Sequence, residues 1–111
     1  MSISQIKNEL QGLSDIKQAK ILSRFFKTGK GDYGEGDIFL GIKVPIQRQV
    51  AKKYIELSLK DLEQLLNSKI HEYRLIALFI LILKYKKVNE AEKTVIFNFY
   101  LKNIKNRPVA I

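Results

Sequence analysis

An all-α fold of about six helices, arranged as antiparallel hairpins stacked into an α-solenoid, follows from three features of this 111-residue sequence. Apolar residues recur at steps of three and four through nearly the whole chain, which is the spacing of one helix face. The repeats are separated by short segments carrying helix-capping residues, and period-two alternation is absent. Finally, five of the six glycines and one of the two prolines fall within Phe25 to Pro45, so the helical patterns are interrupted by one shaped connection.

The first helix is expected from Ile3 to Leu13, with Ile3, Ile6, Leu10 and Leu13 on one face. Ser2 and Gln5 form a box-like capping pair, and Gly12 stands at its end. A second helix begins after Ser14 and presents Ile16, Ala19, Ile21, Leu22, Phe25 and Phe26 as a wide stripe. Pro45 supplies the fixed φ of a first helical turn, so a third helix runs from Pro45 to about Ile55, with Ile46, Val50, Ala51 and Tyr54 inward and Arg48, Lys52 and Lys53 free. Ser58 and Asp61 cap a short fourth helix that ends near Leu66 and buries its leucines.

The fifth helix, Ile70 to Lys87, is apolar almost all round and must be covered on several sides, which makes it the centre of the core. A buried strand is the competing possibility, but the flanking HEYR and KYKK, the length and the lack of turn residues favour a helix. Asn89 and Glu92 cap a sixth helix driven by Val95, Ile96, Phe99, Tyr100 and Ile104. Residues 1–104 are therefore expected to form one HEAT-like helical domain and residues 105–111 an irregular tail, since Pro108 stops the pattern.

The formal charge of +9 suits a polyanion such as nucleic acid or an anionic membrane face. With no cysteine, disulfides, thiolate zinc sites and cysteine nucleophiles are excluded. The start lacks the apolar core of a secretory signal, and the run Leu75 to Leu83 is far below the roughly 20 residues needed to span a bilayer. A cytoplasmic protein without membrane contact is expected.

Gly29 to Gly34 formally fits G-x-G-x-x-G, but a helix precedes it where a dinucleotide site needs a strand. Asp32, Glu35 and Asp37 miss the spacing of a calcium loop and are read as solvated acids of an exposed turn. His71 is the sole histidine, which leaves neither a histidine metal cluster nor a Ser-His-Asp triad, and a surface or capping role is expected for it. No cofactor or metal is expected. Lys27, Lys30 and Lys43, with Arg48, Lys52 and Lys53, are the candidate phosphate contacts, and Phe25 and Tyr33 the candidate base-stacking residues.

The stretch FFKTGKGDYGEGDIFLGIKVP, followed by DLEQLL, HEYRLIALFILILKYKK and EKTVIFNFYLKN, resembles the AlkD-like DNA alkylation repair family from about Leu10 to Asn103. That resemblance implies a HEAT-like solenoid whose basic concave face grips duplex DNA, alkylated or not. For full-length members it implies a glycosylase that removes alkylated purines. The family's catalytic aspartate lies in a tryptophan-containing W-D-x-V-D-like segment just beyond the sixth helix, where this chain has Lys105 to Ile111 and no Asp or Trp. The expectation is thus a truncated, catalytically silent member that binds DNA without sequence preference. The alternative is a protein-interaction module that self-associates through an uncapped C-terminal repeat.

Overall fold

The computed structural model describes residues 1–25 and 36–104. Among these are six helices: α1 (Ile3–Gly12), α2 (Ile16–Phe25), α3 (Val44–Lys53), α4 (Leu59–Leu66), α5 (His71–Lys87) and α6 (Glu90–Ile104). The tail from 105 onward and most of the glycine segment lie outside the described residues.

Local capping chemistry sets most of the starts. Ser2 and Gln5 exchange side chain to backbone hydrogen bonds, closing the expected box at α1. The Asp15 carboxylate accepts from the Gln18 N–H at the head of α2, Ser58 Oγ accepts from Asp61 N, and Asn89 Oδ1 accepts from Glu92 N at 2.9 Å. Each satisfies a donor that the first helical turn leaves free.

The architecture is a stack of helical hairpins with α5 at its centre. Helices α3, α4 and α6 all pack on α5, and α4 also meets α6. Every residue from His71 to Leu81 is buried, so three successive turns of α5 are enclosed on all sides. Ile6 and Leu10 of α1, Val50 and Ala51 of α3, Leu62, Leu65 and Leu66 of α4, and Ile96 of α6 complete one contiguous core. Polar ties hold the outer helices to it. Glu9 Oε1 accepts from both Lys53 Nζ and the Tyr54 hydroxyl at 2.9 Å, and Gln11 Nε2 donates to the Tyr73 hydroxyl at 2.9 Å.

Several expected inward faces are rotated. On α3 and its C-cap the buried set is Gln47, Val50, Ala51 and Tyr54, and Ile46 is exposed. The buried arc runs i, i+3, i+4, i+7 from position 47, and Gln47 Nε2 donates to the Ile42 carbonyl at 2.8 Å while its Oε1 is buried without a hydrogen-bond partner among the described residues. On α6, Val95 is exposed and Asn103 is buried, where it donates to the Phe99 carbonyl and accepts from Asn67 Nδ2 of the preceding hairpin. Among its described residues the α2 stripe buries none: Ile16, Ile21 and Phe25 are all exposed, and Phe26 lies outside the described residues. Periodicity locates a face, but which face is covered depends on neighbours.

Candidate functional site: a cationic groove beside a latched loop

The segment from Asp37 to Lys43 is clamped against the head of α5. Ile38 and Ile70 form an isolated parallel bridge, with Ile38 N donating to the Lys69 carbonyl and His71 N to the Ile38 carbonyl. Glu72, fully buried, accepts from the backbone N–H groups of Leu40 (2.9 Å), Gly41 (3.0 Å) and Ile42 (3.4 Å). Burying a carboxylate is costly, and the three backbone donors offset that cost. Arg74 Nη2 donates to Asp37 Oδ2 at 2.8 Å and its Nη1 to the Ser68 carbonyl at 2.9 Å.

Gly41 is the residue of this loop that tolerates no replacement. Its φ is +84°, and an added Cβ would lie 2.2 Å from the Asp15 carbonyl oxygen and 2.7 Å from Ala19 N. The loop backbone therefore touches the first turn of α2, and Asp15 N donates to the Leu40 carbonyl at 2.7 Å. Two expectations are corrected here. Asp37 is ion-paired with Arg74 and is not a solvated loop acid. His71 is buried and stacks on Phe39 with ring centroids 4.7 Å apart, so it is not a surface residue. Burial pushes the imidazole pKa below its ordinary 6.5, the nearby Arg74 acting in the same sense and Glu72 and Asp37 against it.

The latch fixes the start of α3, and beyond it α3 and α5 enclose a groove of about 220 Å³. Its floor is Ala51, Phe79, Ile82 and Leu83, and its cations are Arg48, Lys52 and Lys86. The Arg48 guanidinium carbon stands 4.4 Å from the Phe79 ring centroid. Such cation–π contact restrains a long side chain while leaving the edge of the guanidinium open to an oxyanion.

The expected phosphate contacts therefore separate. Arg48 and Lys52, one turn apart on α3, share the groove. Lys53 turns to the other side and pairs with Glu9, which raises the lysine pKa and lowers that of the carboxyl through the same hydrogen bond. Lys43 is exposed at the N-cap of α3, outside the groove lining. Phe25 is exposed at the last residue of α2. Lys27, Lys30 and Tyr33 lie outside the described residues. Sequence reasoning missed Phe79 and Lys86. They sit seven residues apart on α5, with Ile82 and Leu83 between them, and this face is visible in the sequence. That it lies beside α3 is not.

No group of three or more His, Asp or Glu residues able to hold a metal occurs among the described residues. No helix among them is long and apolar enough to cross a membrane.

The described residues form an all-helical stack of hairpins with one groove that gathers three cationic side chains over an apolar floor. The family model described as DNA alkylation repair enzyme matches residues 6–108, and the chain belongs to that family. No curated protein and no solved structure matches the chain.

Proposed function

We propose that this protein binds duplex DNA through its phosphates, using the α3–α5 groove, and that it acts in the repair of alkylated DNA. The observation that carries the proposal is the joint placement of Arg48, Lys52 and Lys86 over an apolar floor, in a chain of this family. Duplex DNA presents closely spaced phosphates, and each one neutralised releases counterions, so the contact is favourable and steeply dependent on salt. The exposed Lys43 extends the cationic surface toward the loop. Phe25 and Lys53 contribute less, the latter because its ammonium is already engaged by Glu9.

Cleavage of a glycosidic bond calls for a carboxylate near the sugar, where it stabilises the developing positive charge. No acidic residue lines the groove among the described residues. Of the described acids near the loop, Glu72 holds the backbone of residues 40–42 and Asp37 holds Arg74. We therefore assign the groove residues to binding and Glu72 and Asp37 to positioning the loop, with no part in bond cleavage.

Fluorescence anisotropy with a labelled duplex tests this proposal. Binding is expected at low salt, with a log–log salt slope that falls by about 0.9 for each of Arg48, Lys52 and Lys86 replaced by alanine. Absence of binding at low salt, or a slope untouched by the triple replacement, would overturn it.

A further inference from the structure

A second cleft, of about 400 Å³, opens between α5 and α6. Along α5 it runs from Leu78 to Tyr85, roughly 10 Å at the helical rise of ~1.5 Å per residue, or about two turns. Its walls are apolar and aromatic, and Phe97 and Tyr85 among them are 53% and 41% exposed. Exposed apolar surface of this kind, rimmed by charge, is what the side chains of a protein partner fill.

The charges gather at one end. Because α5 ends at Lys87 and α6 begins at Glu90, Lys86 and Lys93 both stand near the turn that joins the two helices. Lys93 Nζ is 5.4 Å from the Tyr85 ring centroid. Lys86 lines the cleft, is exposed, and has no ion-pair partner among the described residues. Lys93 meets Glu90 at 3.4 Å, but that carboxylate is 93% exposed, and so loose a surface pair yields readily to a better placed acid.

We propose that the α5–α6 cleft docks an amphipathic helix of a partner protein, apolar along two turns and acidic at one end, with its acids over Lys86 and Lys93. Two turns accept apolar anchors at i, i+3 or i+4, and i+7. Charge selects this occupant over others. A second copy of the chain carries +9, and residues 105–111 bring Lys105 and Arg107 with no acid, so both set cations against cations. A nucleic acid has the right charge but no aliphatic side chains to fill the cleft. Lys86 also lines the cationic groove, so docking withdraws one cation from the phosphate contacts proposed above, and this consequence alone rests on that reading.

Three labelled peptides of about 14 residues test the site by fluorescence anisotropy. The first has leucines at i, i+3, i+4 and i+7 with glutamates in the turn before them, the second has lysine for each glutamate, and the third is the first scrambled. The acidic peptide is expected to bind on the order of tenfold more tightly than the lysine peptide, and the scrambled one not at all. Joint Lys86→Ala and Lys93→Ala replacement should remove the preference for acid. Phe97→Ser should weaken the acidic peptide about tenfold and leave duplex binding unchanged. Saturating acidic peptide should lower the salt slope of duplex binding by about 0.9, the share of one lysine.

No binding of the acidic peptide, or equal binding of the acidic and lysine peptides, would overturn the docking site. So would a concentration-dependent dimer in sedimentation that Phe97→Ser disperses, which assigns the cleft to a second copy. Peptide binding that appears only when residues 105–111 are removed would overturn it in favour of the chain's own tail. A duplex that fails to bind would overturn the phosphate groove and the coupling with it, while the peptide titrations, which contain no DNA, still decide the docking site.

Discussion

The two ends of α5 do opposite work. From His71 to Leu81 every side chain is buried; Glu72 and Arg74 are held by the loop before α3 and the turn after α4, and Tyr73 by Gln11 of α1. From Ile82 to Lys87 the same helix opens to solvent, with Ile82, Tyr85, Lys86 and Lys87 exposed and Lys84 half-buried. The first end sets the fold and fixes where α3 starts, and the second lends Ile82, Leu83 and Lys86 to the cationic groove. The difference teaches that one helix can be a structural centre and a surface, provided its charged residues are either partnered in the core or confined to the turns beyond its neighbours.

Gly41→Ala should break the buried end most severely. The new methyl would collide with the Asp15 carbonyl at a backbone angle that L-residues rarely adopt, and a loss of at least about 3 kcal/mol is expected in chemical denaturation. Glu72→Ala comes next. It leaves backbone donors of Leu40, Gly41 and Ile42 without their acceptor, at a cost of about 3 kcal/mol, and Glu72→Gln should cost less because one acceptor oxygen remains.

A smaller effect is expected from pH. His71 has a folded pKa below its unfolded value of about 6.5, so the unfolded chain takes up a proton that the folded one resists. Its contribution is fully present above the unfolded value and is lost as pH falls from there toward the folded pKa, at no more than about 1.4 kcal/mol per pH unit. Denaturation series between about pH 7.5 and about pH 5 should show this slope in the wild type and its loss in His71→Gln.

The smallest stability change belongs to the open end. Arg48→Ala removes a contact with Phe79 worth about 0.5–1 kcal/mol and should leave the fold intact while weakening DNA binding. A large loss of stability in this variant would erase the contrast between the two ends.

Much of the fold is legible in the sequence because it is local. Ser2, Ser58 and Asn89 announce helix starts through side chains that reach backbone groups three residues on, and Pro45 marks the first turn of α3. The all-round apolar pattern of α5 identifies the core centre for the same kind of reason. The candidate site is legible only in part. Arg48 and Lys52 are recognisable as one face, but Lys53, one residue further on, is withdrawn by Glu9 from 44 positions away. His71 and Asp37 read as exposed, and Gln47 passes unnoticed, because nothing in their immediate sequence reveals the contacts that bury or pair them.

The sequence by itself determined the number and approximate limits of the helices, the position of the core helix and the net cationic character, since these depend on residues within a turn or two of one another or on composition alone. Tertiary structure decided which apolar faces are covered, which lysines remain available, and that Lys86 lines the same groove as Arg48. Those outcomes depend on how separate helices pack, and a buried carboxylate such as Glu72 finds its donors only once the loop and α5 have come together.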